Sequence, residues 1–141
     1  MTVFLLQTAW LVPFYPLLAA VASLAWSPGL ISRTGPRPCG YLNLSMVAVA
    51  FSHSVLALLA LHTNAAAGAQ ALYRPLSFSW TWLDTAGLRV GFDGLVTEPV
   101  LIAMTVITGL HLLVQIFAIG YLEMDWGWPR FFGCLSFFEA G

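Results

Sequence analysis

The chain has 141 residues, of which 60% are hydrophobic, 14% aromatic and only 8% charged, with a formal net charge of -1 and a mean hydropathy of +0.86. Soluble domains carry about a quarter charged residues, so this chain cannot cover a water-facing exterior, and most of its surface must meet lipid or apolar protein. The near-zero net charge argues against a nucleic-acid-binding surface. Cys39 and Cys134 stand far apart and outside any C-x-x-C or Cys/His spacing, which points away from a disulfide framework or metal site. Both read as small packing residues.

Crossing about 30 Å of hydrocarbon takes roughly 20 apolar residues. The first segment that meets this runs from Val3 to Trp26 (3–26), with Pro13 and Pro16 expected to kink or locally break a helix. A signal peptide fits poorly: no basic region precedes the run, and the run exceeds the roughly 7–15 residues of a signal core. Residues 27–40 form a breaker-rich loop carrying Arg33 and Arg37 without an acid, which the positive-inside rule places on the cytoplasmic side. The N-terminus is then outside.

The second span is expected over 41–62, followed by a small, alanine-rich linker from Asn64 to Ala71. Leu76, Phe78, Trp80 and Trp82 alternate with Ser77, Ser79 and Thr81, the two-residue period of a half-buried strand. After Asp84-Thr85-Ala86-Gly87, read as a four-residue turn, Leu88, Val90 and Phe92 alternate again, so residues 76–92 are expected to form a β-hairpin. Its aromatic face is too large to leave wet and should lie against the membrane domain or a neighbouring subunit.

The third span, 99–122, opens at Pro99, a natural first-turn residue. Glu123 to Pro129 then form a connection in which Tyr121, Trp126 and Trp128 are expected to anchor at the headgroup level and Arg130 to lie near Glu123 and Asp125. An ion pair there is worth only about 0–1 kcal/mol. The fourth segment, 130–141, covers roughly half the hydrocarbon thickness, so the chain is expected to be an N-terminal part of something larger. The fold class read from the sequence is an all-α polytopic membrane protein: three transmembrane helices, a truncated fourth and an outer-side β-hairpin.

Five positions inside these spans carry polar groups that are costly in lipid and often functional. His53 lies between Ser52 and Ser54, and reads either as a neutral imidazole bonded to a neighbouring helix or as part of a proton relay. Thr108, His111 and Gln115 follow spacings of 3 and 4, so they share one helix face that should point into the bundle. Interhelical hydrogen bonding and a hydrated channel both fit that stripe. Glu139 must pair, protonate or face water, and is the sharpest candidate for proton transfer, the alternative being a helix–helix salt bridge or hydrogen bond.

The order of elements, Val106-Ile107-Thr108-Gly109-Leu110, and Gly-Tyr-Leu-Glu-Met-Asp-x-Gly-x-x-Arg-Phe-Phe from Gly120 to Phe132 resemble the start of the antiporter-like subunit 5 of respiratory complex I. This family includes the F subunit of the cyanobacterial and chloroplast NAD(P)H dehydrogenase. Trp126-Gly127-Trp128, the loop Ser32 to Pro38 and Phe137-Phe138-Glu139-Ala140-Gly141 are similar to the F-subunit variants of cyanobacterial CO2-uptake complexes. The respiratory form usually has an aliphatic or small residue at the position of Glu139, and a different entry to the third helix from Thr97-Glu98-Pro99.

The resemblance implies proton translocation coupled to electron transfer from NAD(P)H or ferredoxin to quinone, with the quinone and iron–sulfur clusters held by other subunits and no cofactor on this chain. It implies partners among the other membrane subunits, a CO2-hydration protein on the cytoplasmic face, and a location in the cyanobacterial thylakoid or plasma membrane with the N-terminus lumenal or outer. By the same resemblance, the family's main proton-transfer glutamate and lysines are expected beyond Gly141. No Gly-rich dinucleotide loop, cysteine cluster or flavin motif occurs. A cation/proton antiporter without redox partners is the second reading, and a small membrane scaffold the third.

Overall fold

The computed structural model describes residues 2–25, 37–66, 76–85, 87–122 and 127–141. In chain order its elements are helix α1 (Thr2–Gln7), a 3-10 turn (Ala9–Leu11), α2 (Phe14–Leu24), α3 (Arg37–Ala66), strands β1 (Leu76–Thr85) and β2 (Leu88–Val96), α4 (Glu98–Tyr121) and α5 (Trp128–Ala140).

The expected first span is broken. A proline lacks the amide hydrogen and its ring collides with the carbonyl four residues back; Pro13 accordingly stands at the entry to α2 rather than inside a helix. Thr8 closes α1, its hydroxyl donating to Phe4 O at 2.8 Å. Pro16 falls in the first turn of α2, where its missing amide would be unpaired anyway. The apolar stretch Ala9–Leu24 is thus shorter than a bilayer crossing, and among the described residues two segments, Arg37–Thr63 and Glu98–Tyr121, are long and apolar enough to span.

Helix α3 exceeds its expected range at both ends. Residues 37–40, expected in the basic loop, form its first turn, where Pro38 is tolerated, and residues 64–66, expected in the linker, form its last. Residues 26–36 with Arg33, the rest of the linker, and the stretch 123–126 lie outside the described residues. Helix α4 begins at Glu98 with Pro99 in its first turn, and α5 begins at Trp128 with Pro129 likewise placed.

Small residues let the helices approach closely, as membrane packing requires. A Cβ placed on Gly109 of α4 would lie 3.0 Å from the Phe51 ring of α3, and one on Gly133 of α5 would lie 3.3 Å from Ser23 Cβ of α2. One apolar cluster joins Ala9, Ala57 and Leu101 at the hairpin end; another joins Ala118, Trp128 and Phe132 at the opposite end. Only 28% and 22% of the best apolar windows of α3 and α4 are buried within the chain. Leu59, Val106, Leu110, Leu113 and Phe117 are exposed, as befits lipid-facing helices and unlike the core helix of a soluble domain.

The hairpin is antiparallel, with register from Leu76↔Val96 to Thr85↔Leu88. Its turn is tighter than expected: only positions 86 and 87 separate the strands, and Gly87 has a φ of 103°, a value that favours glycine. Between Thr81↔Gly91 and Leu83↔Val90 the register shifts, leaving Trp82 as the extra residue of a bulge, so the two-residue period ends there. Trp80 lines a cavity of about 880 Å³ together with Trp10, Phe14, Val100 and Met104, which brings the hairpin against the helices. Trp80 and Trp82 nevertheless remain 66% exposed.

Two further expectations are corrected. Trp128, expected at the headgroup level, is 2% exposed and stacks edge-on with Phe132 at 5.5 Å, because the first turn of α5 faces the end of α4. Cys134, expected to pack, is exposed, whereas Cys39 is buried. Arg130 is exposed, and its expected neighbours Glu123 and Asp125 lie outside the described residues.

Candidate functional site

Helices α4 and α5 leave and enter the same end of the bundle, so positions equally far from that end come level. His111 lies ten residues before Tyr121 and Glu139 eleven residues after Trp128; at about 1.5 Å per residue both stand about 16 Å from that end, near half the bilayer depth. His111 Nε2 is 3.3 Å from Glu139 Oε2, with the side chains only 8% and 1% exposed. The contact is an ion-pair approach without hydrogen-bond geometry. One turn nearer the end, Gln115 Nε2 donates to Ser136 Oγ at 3.1 Å. One turn in the other direction, Thr108 Oγ1 meets Ser54 Oγ of α3 at 3.2 Å. The stripe read from the sequence therefore points into the bundle, each member meeting a different group: Ser54, Glu139 and Ser136.

The second rung continues into a chain of hydrogen bonds. Ser136 Oγ donates to Asn43 Oδ1 at 2.7 Å, Asn43 Nδ2 donates to Ser23 Oγ and to Cys39 O at 2.8 Å, Cys39 Sγ donates to Ser23 Oγ at 3.2 Å, and Ser23 Oγ donates to Ala19 O at 2.7 Å. Asn43, Ser136 and Gln115 are fully buried. Four helices, α2 to α5, are thereby joined through one polar seam in the half of the bundle that ends at Arg37 and Trp128.

His53 takes no part in this seam. Its Nε2 lies 3.1 Å from Thr8 Oγ1 and its Nδ1 3.1 Å from Tyr15 OH. Thr8 already donates its single proton to Phe4 O, so it accepts from His53 Nε2–H; with the ring neutral, Nδ1 accepts the Tyr15 hydroxyl. The two contacts tie α3 to the broken N-terminal segment.

Chemically, a carboxyl and an imidazole in contact hold one proton in either of two arrangements with no change in net charge, which suits a group that must take up or release a proton away from water. Sequence reasoning missed Asn43, Ser136, Ser23 and Ser54. A signal existed: Ser136 precedes Glu139 by three residues, the same-face spacing used for Thr108 and His111. No group of three or more metal-ligating side chains occurs among the described residues.

The family model for the N-terminus of chain 5 of NADH-ubiquinone oxidoreductase (complex I) matches residues 82–132. NAD(P)H-quinone oxidoreductase subunit 5 of the Paulinella chromatophora chromatophore is 39% identical over 134 residues, covering 95% of this chain and 21% of that protein. The chain belongs to the complex I subunit 5 family. Chloroplast subunit 5 of Adiantum capillus-veneris is 28% identical over 137 residues, 95% of this chain and 18% of its own length. Subunit L of the NADH-quinone oxidoreductase of Escherichia coli is 31% identical over 73 residues, 52% of this chain and 11% of its own. The chain thus spans about a fifth of the length of the subunit 5 relatives it matches end to end. The family match takes in Thr108, His111 and Gln115, and ends at Phe132, before Ser136 and Glu139.

Proposed function

We propose that this chain serves as part of a membrane subunit of a proton-translocating NAD(P)H- or ferredoxin-quinone oxidoreductase, in which the Glu139–His111 pair takes up and passes on protons. The observation that carries the reading is a carboxylate 1% exposed against an imidazole at mid-depth of an apolar bundle, in a chain whose relatives are named quinone oxidoreductase subunits. Gln115 supports the pair from the neighbouring rung, whereas His53 acts as a structural tie. In this reading the chain spans the membrane with 3–26 as a broken first crossing, the hairpin outside, and the Arg37 end at the cytoplasm. Electron carriers and quinone belong to other subunits.

The finer reading is the CO2-uptake form of the complex, in a cyanobacterial-type thylakoid or plasma membrane, with a CO2-hydration protein docked on the cytoplasmic face. The sequence around Trp126-Gly127-Trp128 and Phe137 to Gly141 supports it, as do the chromatophore and chloroplast relatives. The test is Glu139→Gln in the intact complex. Proton pumping per electron should fall at least severalfold while the complex assembles at its normal size, and unchanged pumping would remove Glu139 from the mechanism. A CO2-hydrating protein should co-purify with the complex, and a complex isolated reproducibly without one would leave the respiratory form.

A further inference from the structure

The hydrogen-bonded seam ends in a group of atoms it does not satisfy. Ser23 spends its proton on Ala19 O, so it can only accept from Asn43 and Cys39. Asn43 must then present Nδ2 to Ser23, an orientation that Cys39 O fixes independently, and turn Oδ1 to Ser136. Ser136 spends its proton on that oxygen and accepts from Gln115 Nε2. The amide of Gln115 is thereby locked with Oε1 free: buried and without a hydrogen bond. Each proton along the chain is committed in one direction, from Gln115 to Ala19.

The neighbouring rung is unsatisfied as well. Glu139 Oε1 and Oε2 and His111 Nε2 are buried without a hydrogen bond. Gln115 follows His111 by four residues on α4, and Glu139 follows Ser136 by three on α5, so the two rungs are about 5–6 Å apart. Two hydrogen bonds of about 2.8 Å end to end cover that distance, the reach of one water molecule.

We propose that a single internal water is bound in the seam between α4 and α5, held by Gln115 Oε1, the Glu139 carboxyl and His111 Nε2. Buried waters make about three hydrogen bonds to groups that otherwise lack partners, and this site supplies three residues of mixed character. The water donates to Gln115 Oε1 and to a Glu139 oxygen, and accepts from His111 Nε2–H or from protonated Glu139. An amide oxygen takes a hydrogen bond but passes no proton on, so Gln115 is a positioning residue: it fixes the orientation of the water, and proton exchange stays between water, Glu139 and His111. The proposal rests on, and deepens, the reading of that pair as the proton-carrying group.

The test is redox-induced infrared difference spectroscopy of the intact complex in ordinary and oxygen-18 water, comparing wild type with Gln115→Leu and Gln115→Glu. Wild type should show a water O–H stretching band that shifts in oxygen-18 water. Gln115→Leu should lose that band and shift the Glu139 carboxyl band, identified by its disappearance in Glu139→Gln, whereas Gln115→Glu, which keeps an acceptor oxygen, should retain the water band. A wild-type spectrum with no isotope-sensitive band, a band that survives Gln115→Leu unchanged, or a Glu139 band that moves with added sodium would overturn the proposal, the last in favour of a bound cation. Should Gln115→Leu fail to assemble, a cryo-EM map of the wild-type complex decides: density within hydrogen-bonding distance of all three side chains supports the water, and its absence refutes it. Pumping unaffected by Glu139→Gln alongside an intact water band would refute the proton-carrying role and leave the water standing.

Discussion

Single polar atoms in an apolar bundle have effects out of proportion to their number, since nothing around them replaces the hydrogen bonds of water. Asn43 shows this most directly: its one amide joins α2, α3 and α5 through Ser23, Cys39 O and Ser136. Replacing it by leucine leaves the Ser136 hydroxyl without its acceptor, and should destabilise the bundle by about 1–3 kcal/mol, measured as a lower midpoint of unfolding in detergent. His53 is different in kind. Tyr15→Phe removes the partner of Nδ1 and should cost about 1 kcal/mol or less, in line with interhelical hydrogen bonds in membranes, with no loss of proton pumping in the intact complex. A pumping defect in Tyr15→Phe would return His53 to the proton path.

Among the elements, the pairing of α2 with α5 depends on what a side chain would displace. Gly133 faces Ser23 Cβ and Ala20 O at 3.3 and 3.7 Å from the position a Cβ would take, so no relaxation of a long side chain can make room. Gly133→Leu should separate the two helices and cost about 1–3 kcal/mol or more, read as impaired assembly or a lowered thermal midpoint, and Gly133→Ala should do so more mildly. Because Ser23 sits at that contact, the same variant should disturb the hydrogen-bond chain that locks Gln115. The hairpin has a comparable point at Gly87, whose φ of 103° a β-branched residue cannot adopt without strain. Gly87→Val should weaken the hairpin by about 1–3 kcal/mol, visible as faster proteolysis there.

For the whole molecule, the polar seam and the hairpin lie at opposite ends of the bundle, which makes orientation testable. In a Cys134→Ser background, with Cys39 buried, Thr81→Cys on the exposed hairpin should react with a membrane-impermeant maleimide from the outer side. Arg37→Cys, also exposed, should react only from the cytoplasmic side. The opposite labelling pattern would invert the topology read from the arginines.

Much of this arrangement follows from the sequence by itself. Long uninterrupted apolar runs specify helices that face lipid, because a backbone without water must bond internally. Spacings of 3 and 4 place Thr108, His111 and Gln115 on one face, and alternation specifies the hairpin as far as Trp80. The Gly120 to Phe132 motif carries the family. What only the tertiary structure decided is which of these faces meet. The pairing of His111 with Glu139, the burial of Trp128, the bulge at Trp82 and the separation of His53 from the seam depend on the rotation of helices about their axes and their mutual depth. Those are settled by close approach at Gly109 and Gly133 and by a hydrogen-bond chain with members far apart in sequence, such as Asn43 and Ser136. Local periodicity says which residues share a face, and packing between distant segments says what that face touches.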